Sequence, residues 1–160
     1  MLDAKYIKQR LIYTFDGKPW YGDSVIVILK SIPFQNVNVS INGLNNKTIA
    51  HLVQHMISWQ NFVVLKLKGN SEFNIELGSE EDWPKKEIST KEEWVSLIDK
   101  LTSQNKEISN HLMNIDEEYL SAKAPGVEYS NHFMIDGIIH HNLYHLGQIG
   151  LMNSILNQSQ

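Results

Sequence analysis

Apolar residues return at the period of an α-helix along most of this chain, most clearly from about Lys47 to Lys68. Ile49, Val53, Met56, Val63 and Leu67 form one stripe there, and Gly69-Asn70 supplies a C-terminal stop. Asn42-Gly43 reads as a turn before this helix, with Asn45 or Asn46 as its cap. A second stripe, Trp94, Leu97, Ile98, Leu101, Ile108, Leu112 and Met113, follows the capping-box pair Thr90 and Glu93 and predicts a helix to about Asn114. A third helix is expected from a cap at Ser130 or Asn131 to about Leu156, beyond the break at Ala124-Pro125-Gly126.

Upstream, Asp23 or Ser24 can cap a helix from Val25 to about Ile32, ended by Pro33. The β-branched run Val25 to Ile28 suits a strand equally well, but no second convincing strand is present to pair with it. Lys5 to Phe15 reads as a short helix or an extended arm before the turn Asp16-Gly17-Lys18-Pro19. Glu117 to Leu120 adds one possible turn of helix, while residues 34–46 and 70–89 read as loop. Four helical segments in 160 residues, without repeat or linker, predict a single all-α domain over 1–160 built as a four-helix bundle.

Composition narrows the chemistry. Apolar content is 42% and charged content 20%, values of a soluble globular chain. The formal charge of -4 argues against a nucleic-acid partner, which would want a basic stripe. No cysteine is present, which excludes a disulfide framework, a thiolate nucleophile and a cysteine zinc site. No apolar run approaches the ~20 residues of a membrane span, and Met1-Leu2-Asp3-Ala4-Lys5 leads into no signal-like segment, so a cytoplasmic protein is expected.

Three of the seven histidines lie close together in Ile138-Ile139-His140-His141-Asn142-Leu143-Tyr144-His145-Leu146-Gly147-Gln148-Ile149. His141 and His145 are four apart and share one helix face, the spacing at which two imidazoles can hold one metal ion. His140 points about 100° away. His51 and His55, again four apart on the Lys47–Lys68 helix, are both candidates for the third ligand, and spacing does not choose between them. His111 and His132 read as solvated, Trp59 and Tyr144 as core aromatics, and Glu80-Glu81-Asp82 as a solvated loop. Gln148 can hydrogen-bond a ligand imidazole or serve packing near the helix end.

These stretches resemble the DinB/YfiT-like family of metalloenzymes. Ile49 to Trp59 is similar to the family's second helix, I-x-x-L-V-x-H-I-x-x-W, which carries one metal-binding histidine. Gly137 to Ile149 is similar to its last helix, G-I-I-x-H-D-L-Y-H-x-G-Q-I, which carries two more. Trp20-Tyr21-Gly22-Asp23-Ser24 matches a W-x-G-x-S segment before helix one, and Asp82-Trp83-Pro84 a D-W-P loop before helix three. The likeness extends from about residue 17 to 156. It implies an up-down-down-up bundle, often dimeric, with His55, His141 and His145 as ligands to a divalent metal such as zinc or nickel. His51 and His140 fall where the family requires no histidine. Asn142 stands where the motif commonly has Asp, so any role that depends on that charge is absent here.

Some relatives are thiol transferases that use bacillithiol or mycothiol, which adds a low-molecular-weight thiol to the expected cofactors. A three-histidine ion with open positions would act as a Lewis acid on a small-molecule substrate, in hydrolysis or thiol transfer. A non-catalytic metal-binding or small-molecule-binding dimer is the competing expectation. Within the two histidine-bearing helices the nearest carboxylate is Asp136, more than one turn before His141.

Overall fold

The computed structural model describes residues 4–41, 46–113 and 115–158, and these are all-helical apart from loops and one isolated bridge between Lys123 and Ser130. The helices are α1 (Ala4–Asp16), α2 (Val25–Ser31), α3 (Ile49–Leu67), α4 (Lys91–His111), α5 (Glu117–Ser121) and α6 (Asn131–Gln158). A 3-10 turn, Phe34–Asn36, follows Pro33 inside the expected loop. The Asn42-Gly43 turn, the Asn45 cap and the helix end at Asn114 lie outside the described residues. So do residues 1–3 and the last two of the chain.

Local chemistry sets the helix ends. The β-branched run of α2 is helical, and the segment from Lys5 to Phe15 is helix and not arm. α3 starts at Ile49, two residues later than expected, because Thr48 is its cap: Thr48 Oγ1 accepts from His51 N at 3.2 Å. His51 Nδ1 accepts from Thr48 N in return, so this histidine completes a capping box. Asn46, a candidate cap in the sequence, instead takes a left-handed conformation with φ 54°. On α4, Thr90 Oγ1 accepts from Glu93 N, and the Glu93 carboxylate reaches back to Ser89 N. α4 ends at His111. At the start of α6, Ser130 Oγ accepts from Phe133 N.

α3 packs against α4 and α6, and α1 and α2 pack against each other and against the same two long helices. α5 lies on α6. The core is divided in two. One cluster takes Phe15, Leu29, Val53, Met56, Leu101, Leu146 and Ile149; the other takes Leu11, Phe62, Ile108, Leu120, Ile135 and Ile139. On each long helix the residues between the clusters include buried polar ones: Gln60 on α3, Gln104 and Asn105 on α4, Asn142 and His145 on α6. The structure therefore carries a polar layer between two apolar ones, and His145 is part of it.

Gly126 is a point of backbone contact. Its φ is +71°, and a Cβ there would meet the Ser71 carbonyl oxygen at 2.0 Å. The same oxygen accepts from the buried Lys66 ammonium at 3.1 Å. Gly126→Ala therefore combines left-handed strain with a clash against main chain, and a loss of about 2–4 kcal/mol is expected in urea unfolding. Gly78→Ala, which has positive φ but open space, should cost clearly less.

Candidate metal centre

α3 and α6 bring three histidines to one point. His55 projects from the middle of α3, and His141 and His145 project one turn apart from α6. His55 Nε2 and His141 Nε2 are 3.0 Å apart, and one ring nitrogen from each of the three lies within 4.8 Å of the other two. His55 and His145 are buried, while His141 is half-buried.

The far side of two rings is held. His55 Nδ1 donates to the Asp82 carbonyl oxygen at 2.7 Å, with Asp82 Oδ1 at 3.0 Å. That proton on Nδ1 leaves Nε2 as a lone pair facing His141. His145 Nδ1 donates to Gln148 Oε1 at 2.7 Å, which frees the other nitrogen of that ring in the same way. His141 differs: its Nδ1 is buried and has no partner among the described residues. Asn142 does not supply one, and its own Oδ1 is also buried without a partner.

Asp82 is the main correction to the sequence reading. It belongs to the acidic run expected to be solvated loop, yet it is only 3% exposed. Beyond His55, its carboxylate accepts from Trp59 Nε1 at 2.8 Å and from Gly78 N at 2.8 Å. Its own N–H donates to Ser79 Oγ at 3.2 Å, which turns the loop inward. The next residue, Trp83, stacks on the His55 ring with centroids 3.7 Å apart and planes 6° from parallel. Trp59, expected as a plain core aromatic, is thus fixed by a hydrogen bond and placed edge-on to His55. Tyr144, also expected in the core, is 64% exposed, with its ring edge against His145.

The other histidines stand apart. His51 caps α3 and lines a cleft of about 490 Å³ with Lys47, Trp83 and Lys85. His140 is exposed with its Nε2 3.3 Å from Arg10 Nη2. His132 lies 3.9 Å from Asp136, whose carboxylate is bound to Arg10 at 2.7 Å. His111 ends α4.

Burial disfavours the charged form of all three central histidines. It pushes His141 down to about 3, helped by His145 and His55 beside it. It pushes His145 down to about 4, with the Gln148 hydrogen bond opposing. His55 is lowered by burial too, against the pull of Asp82. Neutral imidazoles are what a metal requires of its ligands. The sign for stability follows. Below the ordinary value near 6.5 the unfolded chain takes up protons that the folded chain refuses. Stability is therefore full above about pH 6.5 and falls as pH drops toward 4, by up to ~1.4 kcal/mol per pH unit for each such histidine. Urea unfolding of chelator-treated protein at pH 7 and pH 5 should show the lower midpoint at pH 5, and His141→Gln should shrink the difference.

No family model, curated protein or solved structure matches this chain. The site rests on its own geometry. Two nitrogens bound at ~2.1 Å to a tetrahedral ion are about 3.4 Å apart, close to the 3.0 Å separation of His55 and His141. Three neutral imidazoles suit a divalent transition-metal ion. The His55, His141 and His145 group is close enough to hold one.

Proposed function

We propose that this chain binds one divalent ion, zinc or nickel, through His55, His141 and His145, and uses it on a small-molecule substrate as a hydrolase or thiol transferase of the DinB/YfiT-like type. The observation that carries this reading is the convergence of three neutral ring nitrogens, two of them aimed by Nδ1 hydrogen bonds to Asp82 and Gln148. A structural zinc site would usually add a fourth protein ligand; three leave room for a substrate atom.

A bound ion supplies Lewis acidity for a carbonyl, a water or a thiol. The chain's own residues do the positioning. Asp82 fixes the tautomer and plane of His55, and Gln148 does the same for His145. Trp83 covers the His55 face and keeps water from it. Neither nearby carboxylate is uncommitted, since Asp82 carries three donors and Asp136 is paired with Arg10. This last point also favours a second reading, a metal-binding bundle without turnover.

In the same reading α1 and α2 together serve as one pillar, with α3, α4 and α6 as the others, of an up-down-down-up four-helix bundle. The protein is a cytoplasmic homodimer. No described helix is long and apolar enough to cross a membrane. Elemental mass spectrometry on protein purified without an affinity tag tests the core of the proposal. About one zinc or nickel per chain supports it. No metal, even after incubation with either ion, sinks it.

A further inference from the structure

Beside the centre, between α3 and α6, lies a groove of about 240 Å³ whose wall includes His141. We propose that this groove takes an uncharged apolar group, an aryl or branched alkyl, of a small substrate whose donor atom reaches the centre past His141. The proposal rests on the metal reading above and names the substrate class for that site.

Access points to this side. His55 is covered by Trp83 and tied to Asp82, and His145 is buried. His141, half-buried, is the histidine that meets open space. Of two other clefts among the described residues, one at Lys47 and His51 and one between α2 and α6, neither has a centre histidine in its wall.

The lining sets the chemistry. Trp59, Phe62, Tyr129 and Phe133 supply aromatic surface, and among the described residues no charged side chain lines the groove. An ionised group entering it would lose hydration without a partner, whereas a ring gains apolar contact and edge or face packing. Size agrees: a cavity of ~150 Å³ accepts benzene, so the groove has room for one ring and a short arm. Trp59 forms part of both the groove and the centre, and its indole is pinned by Asp82. Gly137 leaves the groove open, since a Cβ there would meet nothing within 4 Å.

Two arms test this. In the first, protein labelled with ¹³C at methionine methyls is titrated with toluene, which has no donor atom. Met134 lines the groove and Met152 lies in the other core cluster. A shift of the Met134 methyl, assigned through Met134→Leu, with Met152 unmoved, is expected. In the second, zinc-loaded protein is titrated with benzyl mercaptan and with 2-mercaptoethanol. Roughly tenfold or greater preference for the aryl thiol is expected, falling to about twofold or less in Gly137→Leu with zinc content unchanged. A silent Met134, equal affinities in the wild type, or a preference that survives Gly137→Leu overturns the proposal. Failure to load either zinc or nickel overturns the metal reading instead, and the toluene arm then decides the groove by itself.

Discussion

His55→Ala, His141→Ala and His145→Ala should each lower bound zinc or nickel from about one ion per chain to a small fraction of that, while His51→Ala and His140→Ala keep it. The expected loss of affinity is on the order of 10²-fold or more per ligand, because the binding energy of such sites is shared among only a few donors. The three variants should not be equivalent in the metal-free protein. His141 has a buried Nδ1 without a partner, so removing the ring relieves an unmet polar atom and need cost little stability. His55 carries the Asp82 hydrogen bond and the Trp83 stack, so its loss should unfold the protein at clearly lower urea. The controls are informative in their own right. His51→Ala removes half of a capping box and should cost about 0.5–2 kcal/mol without touching the metal. His140 is exposed and its change should be near neutral. Metal retained in the His141 or His145 variant would break the assignment, since no other described histidine is grouped with these three.

The frame of the molecule was legible because periodicity reports burial. The stripes on α3 and α4 and the apolar run of α6 face the core clusters, except Met113, which lies past the end of α4 and is exposed, and Thr90, Ser130 and Pro33 act where their chemistry predicts. The pair His141 and His145 was legible for the same reason, since helical spacing alone puts them on one face. Spacing did not separate His51 from His55; geometry does, because Thr48 captures the first as a capping residue. The buried amides between the core clusters were hidden, as Gln60, Asn105 and Asn142 look like ordinary polar helix positions in a sequence. Asp82 was hidden more deeply. An acidic run is usually solvated, and what turns this one residue inward is loop geometry from Gly78 and Ser79, which no periodicity announces.

Asp82→Ala is expected to damage both stability and site without removing a ligand. The carboxylate is almost wholly buried, receives hydrogen bonds from Trp59 and Gly78, and lies 3.0 Å from His55 Nδ1. Bonds to a charged acceptor are each worth about 1.5–3 kcal/mol, and truncation strands buried donors, so a loss of about 3–5 kcal/mol in urea unfolding is expected. Metal affinity should fall by about 10–100-fold although no ligand has been touched, because the loop that presents the Asp82 carbonyl and Trp83 to His55 loses its anchors on Trp59 and Gly78. Asp82→Asn separates the two effects. The amide oxygen can still accept from Trp59 or from Gly78, and the backbone carbonyl still holds His55 Nδ1. Stability should therefore recover in large part, while the pull of a negative charge on His55 is gone. Nitrogen-15 NMR of the histidine rings reads the difference directly. In the wild type and in Asp82→Asn, His55 should carry its proton on Nδ1; in Asp82→Ala, where the loop is no longer anchored on Trp59 and Gly78 and its carbonyl can leave Nδ1, the ring should show mixed tautomers. If Asp82→Ala keeps both a wild-type urea midpoint and full metal affinity, the carboxylate is only a loop anchor, and His55 owes its orientation to the Trp83 stack and the Asp82 carbonyl.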